Sequence, residues 1–149
     1  MIATHATPTF ERWLDTLAGR LTADRDVAAA YLFGSRARGD ARPGSDVDLA
    51  VILDKGLSAR ERWRKRLELI GASTSELCTD AVDLLILEDA PVPLAHRVIR
   101  DGRLLVDNNP KRRVAVVEDV LRRYLDEAWL RDALDRELKN RLLEGRFAR

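Results

Sequence analysis

Two aspartates, Asp46 and Asp48, have the type and spacing that most directly indicate chemistry in this 149-residue sequence. Only Val47 separates them, and because side chains alternate along a β-strand, both carboxylates are predicted to project from one face of a strand. Neighbouring carboxylates raise each other's pKa unless a cation lies between them. A few carboxylates together with substrate phosphates are the usual ligands of Mg²⁺. The pair therefore predicts a divalent-metal site.

A turn with exposed backbone precedes the two aspartates. Gly34 and Ser35 end an apolar run of strand length, residues 27–33, and both residue types let a backbone turn sharply and expose its N–H groups. A phosphate fits such a turn. Arg36 and Arg38, which follow directly, could neutralise its charge. The sequence thus predicts a phosphate site beside a metal site.

The combined pattern resembles the signature of a known superfamily. Gly34-Ser35, ten further residues and then two aspartates one residue apart, within the text GSRARG…SDVDL, is similar to the polymerase-beta-like nucleotidyltransferases. The text is most similar to that of their smallest members, the minimal nucleotidyltransferases. The resemblance implies that the Gly-Ser turn contacts the phosphates of a nucleotide, and we take Arg36, Arg38 and Ser45 as further nucleotide-binding candidates. The resemblance also implies that both aspartates bind divalent metal together with a third acid on a neighbouring strand.

Asp83 is the candidate for the third acid. It lies in residues 81–87, the only later strand-like run with an embedded acid, between apolar neighbours that otherwise exclude a charge. The alternative is a solvent-facing acid on an edge strand. The resemblance implies that Asp46, Asp48 and Asp83 bind Mg²⁺, with two ions during catalysis, and that ATP is the donor. Asp83 would then help to remove the proton of the attacking hydroxyl.

Composition limits the classes of function. A formal net charge of +1 argues against a direct nucleic-acid partner. One cysteine, Cys78, excludes an internal disulfide framework, and the two histidines are too few for a zinc cluster. No segment approaches the ~18 continuous apolar residues of a membrane span, and the N-terminus has no signal pattern. We therefore expect a cytoplasmic protein without membrane contact.

The order of the predicted elements indicates an α/β (α+β) fold. Helix, strand, strand, helix, strand, helix and strand follow one another over residues 1–108, and we interpret them as a small mixed β-sheet with helices packed on it, the nucleotidyltransferase domain. Ser58 and Glu61 have the spacing of a capping box and predict a helix over residues 59–77. Apolar residues at helical spacing predict buried positions, among them Trp13, Trp63, Leu67 and Ile70.

Residues 109–149 are predicted to form a C-terminal helical extension. Asn109-Pro110 is a helix start, and a continuous helix from there would exceed ~50 Å at ~1.5 Å per residue, so it either breaks near residues 126–129 or projects. Its second half carries an apolar ridge at mostly four-residue steps. This ridge predicts docking of a second protein or a second copy, with folding back onto the domain as the alternative. Its members are Trp129, Leu130, Leu134, Leu138 and Leu142.

The acceptor of the nucleotide follows from the resemblance alone. Minimal nucleotidyltransferases are often antitoxins that silence a HEPN-domain toxin by transferring AMP from ATP to one of its tyrosines, and the C-terminal ridge fits such a partner. One alternative is a small-molecule acceptor, as in aminoglycoside-modifying enzymes, which generally have a larger helical domain than this chain offers. Another is a non-catalytic module whose nucleotide occupancy regulates association with a partner.

Overall fold

The computed structural model describes residues 8–145. Its elements follow the predicted order, with an additional helical turn after the first strand and a short 3-10 turn, Leu87–Asp89, after the third. In chain order they are α1 (Pro8–Thr22), β1 (Val27–Phe33), α2 (Ser35–Arg38), β2 (Val47–Leu53), α3 (Ala59–Leu77), β3 (Val82–Ile86), α4 (Val92–Asp101), β4 (Arg103–Asp107), α5 (Pro110–Asp126) and α6 (Ala128–Leu143).

Within residues 8–145, four strands form one mixed sheet in the order β3-β2-β1-β4. β1 is antiparallel to both β2 and β4, whereas β2 and β3 are parallel. A parallel pair needs a crossover connection, and α3 supplies it. The predicted mixed sheet with packed helices is therefore confirmed. β3 is an edge strand.

Helices cover both faces of the sheet. α1 and α3 pack on one face through residues such as Leu17 and Leu77, and α4 and α5 pack on the other through Val98 and Val120. Because β1 and β2 are central and buried on both faces, their sequences are nearly continuous apolar runs. Asp48 is the charged residue of β2, and it shares the α4–α5 face with alternate residues of its strand.

The predicted span of α3 is confirmed, but its predicted buried stripe is largely wrong. The capping box at Ser58 is present and the helix begins at Ala59. Trp63 is 56% exposed and Leu67 51%, while Ile70 is half-buried. The buried residues lie further along the helix, at Leu69, Ala72, Ser73 and Leu77. The first half of α3 instead runs beside the edge strand, where its outer face meets solvent. Trp13 of α1, also predicted to be core, is 37% exposed.

The C-terminal helix breaks at Glu127, which ends α5 and begins α6, so the first of the two predicted alternatives holds. The Arg131 guanidinium lies 3.9 Å from the centroid of the Tyr124 ring and also donates to the Tyr124 carbonyl, so α6 is held against the end of α5. α6 has no buried residue, which excludes the alternative that its ridge folds back onto the described domain. The five ridge residues are 43–69% exposed.

α5 contributes Val116 and Val120 to the core on the α4–α5 face of the sheet. The division of the chain into residues 1–108 and 109–149 stays a prediction. Among residues 8–145, no helix is long and apolar enough to cross a bilayer.

Candidate active site

The chain reverses direction at Gly34, directly after β1. Gly34 has φ 71° and ψ −156°, a conformation open essentially only to glycine. The sequence predicted an open turn here, but Ser35 instead begins the single turn of α2, whose amides of Ala37 and Arg38 both donate to the Gly34 carbonyl at 3.2 Å. This turn places the start of α2 at the end of β1.

Gly34 is also required by its contact with Asp48. The β1–β2 register pairs Phe33 with Asp48, so Gly34 lies beside the aspartate at the end of the ladder. A Cβ at Gly34 would lie 2.0 Å from Asp48 Oδ2 and 3.0 Å from its Cγ, which is closer than atoms can approach. The Asp48 carboxylate therefore occupies the space that any other residue at position 34 would fill.

The parallel register of β2 and β3 brings Asp83 next to Asp48. Their Cα atoms are ladder partners, and the Val47 amide donates to the Ala81 carbonyl at 2.8 Å at the start of this pairing. Asp83 is exposed on an edge strand, which was the alternative to a metal-binding role in the sequence analysis. Its pairing with Asp48 nevertheless places it in a cluster of acids. Asp46 lies one residue before β2, so the prediction that both acids belong to the strand is wrong in this detail.

The three carboxylates are electrostatically coupled. Partial burial raises the pKa of Asp48 above its ordinary value, and the negative charges of Asp83 and Asp46 raise this pKa further. Arg38 acts in the opposite direction with a smaller effect on the same pKa. Like charges held together in this way favour either protonation or a bound cation. The site is therefore one where a cation would relieve a repulsion that the fold imposes.

The donor chemistry fits a hard divalent cation, because carboxylate oxygens and substrate phosphates are its preferred ligands. Within residues 8–145, no three histidine, cysteine, aspartate or glutamate side chains converge closely enough to form a ready-made metal site. Asp46 and Asp83 are both exposed, so their side chains can turn toward Asp48 without breaking a packed core. The residues present fit the ion, provided that they close around it on binding.

Arg36 and Ser45 hold the loop between β1 and β2 together. Arg36 Nε and Nη2 donate to the Ser45 carbonyl at 3.3 and 2.9 Å, and the guanidinium lies 4.5 Å from the centroid of the Phe10 ring. Ser45 Oγ accepts from the backbone amide of Arg42 at 2.8 Å. Arg36 thus fixes the segment that leads to the aspartates. Sequence reasoning missed Phe10, because an apolar residue at helical spacing in α1 indicated only core packing.

Arg38 is the more available of the two predicted phosphate-binding arginines. Its Nε lies 3.4 Å from Asp40 Oδ2, and about half of its side chain is exposed. An exposed pair of this kind contributes little to stability, so the guanidinium can exchange Asp40 for another anion. Asp40 is therefore the ion-pair partner of Arg38 within the loop.

Comparison with known proteins identifies the family. The model of the family described as "Polymerase beta, Nucleotidyltransferase" matches residues 16–111, more than half of the chain. The chain belongs to this family. This chain is 35% identical over 75 residues to the protein adenylyltransferase MntA of Shewanella oneidensis. That match covers 50% of this chain and 50% of MntA, so the chain spans about half the length of this curated relative.

Solved structures extend the similarity over most of this chain. A chain from a toxin-antitoxin crystal structure with AMP-PNP is 27% identical, with a TM-score of 0.66, and the match covers 84% of this chain and 98% of that one. A mutant of the MntA toxin-antitoxin complex is 26% identical, with a TM-score of 0.65 and coverage of 87% and 97%. The predicted fold and the resemblance to minimal nucleotidyltransferases are therefore confirmed.

Proposed function

We propose that this nucleotidyltransferase transfers AMP from ATP to a tyrosine hydroxyl of a HEPN-type toxin in a Mg²⁺-dependent reaction, and so acts as an antitoxin. One observation carries the proposal: Asp48 is the ladder partner of Asp83 on the neighbouring strand, and the two carboxylates form a cluster of like charges with Asp46. The Asp48 carboxylate also lies against Gly34, in space that the Cβ of any other residue there would fill. The names of its relatives support it, since one is a protein adenylyltransferase and another was solved as a toxin-antitoxin with AMP-PNP. The ATP donor and the single cysteine suit a cytoplasmic location.

The donor nucleotide would lie against the β1–α2 turn. Gly34 has no side chain to block the approach of a phosphate, and the first backbone amides of α2 have no acceptor within their own helix. The Ser35 hydroxyl and Arg38 could then bind the β- and γ-phosphates, while Arg36 keeps the loop closed through Ser45. Arg36 and Ser45 act in this scheme as positioning residues.

Transfer would proceed by in-line attack of the acceptor hydroxyl on the α-phosphorus of ATP. The bond from the hydroxyl oxygen to phosphorus forms, the bond to the oxygen that bridges to the β-phosphorus breaks, and pyrophosphate leaves. Asp83, on the outer side of Asp48, would accept the hydroxyl proton. Divalent metal bound by Asp46, Asp48 and Asp83 would offset the charge of the triphosphate and of the leaving group.

The apolar ridge of α6 would bind the partner stably. Trp129 and Leu134 are 69% and 60% exposed, and they lie outside the packed domain on a helix that contributes nothing to its core. Exposed apolar surface of this kind is typical of an interface. A second copy of this chain could use the same ridge to form a homo-oligomer.

Co-expression with a HEPN-domain protein encoded beside this chain tests the proposal. The complex is purified through a tag on the nucleotidyltransferase, and the intact mass of each protein is measured. We expect the partner to gain one or more AMP increments, to lose them with Asp83→Asn, and to keep them with Asp80→Asn, an exposed acid outside the ladder. An unmodified partner that still co-purifies would contradict the transferase and favour regulated binding. Absence of both would favour a small-molecule acceptor.

A further inference from the structure

A groove of about 330 Å³ runs along the outer edge of β3, between the first half of α3 and the start of α4. We call it the β3-edge groove. Its apolar lining comes from all three elements, and two arginines of α3 border it. The residues that the argument uses are Arg62, Trp63, Arg66, Leu85, Pro91 and Leu94.

The β3-edge groove adjoins the acidic site. Leu85 and Asp83 are alternate residues of one strand, so they share a face and lie about 7 Å apart along it. The order of strands places Gly34 on the β1 side of Asp48 and Asp83 on the opposite side, toward the groove. If the triphosphate lies at Gly34, the attacking group must arrive from the other side of its α-phosphorus, because displacement is in line. That direction is the β3 side.

The groove is lined in part by the ring of Trp63, which does not pack into the core. Trp63 is 56% exposed, and the central carbon of the Arg66 guanidinium lies 5.5 Å from the centroid of the Trp63 ring. Arg66 Nε also donates to the Leu84 carbonyl at 2.7 Å, on the unpaired edge of β3. Arg66 therefore both protects the edge strand from adding another strand and supports one side of Trp63. The open side of Trp63 is available to a partner.

Charge around the groove is positive. The charged residues of its lining are Arg62, Arg66 and Asp89. Asp89 pairs with Arg62 at 2.8 Å, whereas Arg66 donates to a backbone carbonyl and has no carboxylate partner among residues 8–145. The surface beside Trp63 therefore complements an acidic partner.

We propose that the β3-edge groove binds the acceptor segment of the partner protein. The segment places an apolar side chain against Trp63, Leu85 and Leu94, and an acidic side chain of the segment faces Arg66. This arrangement presents the accepting hydroxyl beside Asp83. The inference rests on the proposed function, and it separates two surfaces: the α6 ridge holds the partner, whereas the groove selects which of its hydroxyls is modified.

Binding of defined peptides tests the groove. The probes are a fluorescein-labelled peptide with one tyrosine and one leucine among glutamates, and the same peptide with lysine at each glutamate position. Fluorescence anisotropy measures their affinity for the full chain. We expect the acidic peptide to bind at least about tenfold more tightly than the basic one, with the difference reduced by salt. Trp63→Ala, and separately Arg66→Gln, should each weaken acidic-peptide binding by about tenfold.

Trp13→Ala is the matched control, because Trp13 is a partly exposed tryptophan on α1, outside the groove. It should leave peptide affinity unchanged, and Trp63→Ala should leave the KM for ATP unchanged. Equal affinity for the two peptides, tighter binding of a single-stranded RNA of the same length, or a raised KM for ATP in Trp63→Ala would overturn the proposal. Selective binding of the acidic peptide without AMP transfer to its tyrosine would support the groove and contradict the transferase activity instead.

Discussion

Asp48→Asn should stabilise the protein while abolishing AMP transfer. The asparagine keeps the shape of the side chain beside Gly34 but removes the charge that burial and the carboxylates of Asp83 and Asp46 disfavour. A carboxyl whose pKa is raised in the folded state makes folding less favourable wherever it is ionised in both states. The variant's advantage should therefore be complete above the folded-state pKa of Asp48 and should disappear as pH falls through that pKa toward the unfolded-state value.

The size of the effect follows from the exposure of the site. Asp48 is only half-buried and its two acidic neighbours are exposed, so solvent screens the repulsion to the range of surface charge pairs, about 0.2–1 kcal/mol. A domain of this size gains about 2–4 °C in Tm per kcal/mol, which gives an expected rise of about 0.4–4 °C without metal. Bound Mg²⁺ with ATP stabilises the wild type by about 2.7 kcal/mol at a hundredfold excess over Kd. The order of stability should therefore reverse when both are present.

Thermal unfolding followed by circular dichroism measures the Tm of the wild type and of Asp48→Asn, first without metal in EDTA and then with excess MgCl₂ and ATP. Asp80→Asn is the control, since it removes an exposed charge three residues before Asp83 without touching the ladder. Its Tm should match that of the wild type in both conditions. The reasoning fails if Asp48→Asn is less stable than the wild type in EDTA at neutral pH, or if Mg²⁺ and ATP raise the Tm of the two proteins equally.

Further substitutions test the turn, the loop, the core and the C-terminal helix. Gly34→Ala places a Cβ 2.0 Å from Asp48 Oδ2 at a positive φ, so it should cost about 1–3 kcal/mol in urea unfolding and abolish transfer; normal activity would refute the assigned approach of the phosphates. Arg36→Lys should raise the KM for ATP about as much as Arg36→Ala, because a lysine cannot reproduce the two-point contact with the loop carbonyl; rescue by lysine would show that charge alone matters. Leu17→Ala should cost about 2–5 kcal/mol in the core, whereas Leu134→Ala should change unfolding little and weaken partner co-purification; a large loss of stability from Leu134→Ala would contradict an exposed ridge.

Local signals in the sequence were sufficient for the elements that local interactions stabilise. Ser58 and Glu61 satisfy each other's backbone donors, so the start of α3 could be predicted to the residue. The break after α5 was one of two predicted alternatives, because an uninterrupted helix would be longer than the domain and would have to project from it. The predicted burial of Trp63 failed, because helical spacing identifies a stripe but not whether another element covers it.

The sequence by itself determined the chemistry of the site: a glycine where the backbone must turn, and acids at a spacing that forces their charges together. Only the tertiary structure decided which groups meet. Asp83 becomes the neighbour of Asp48 through the parallel register of β2 and β3, and Arg36 reaches both Phe10 and the loop because α1 packs beside the turn. The physical reason is that spacing along a chain fixes contacts within one element, whereas contacts between elements depend on how the whole core packs.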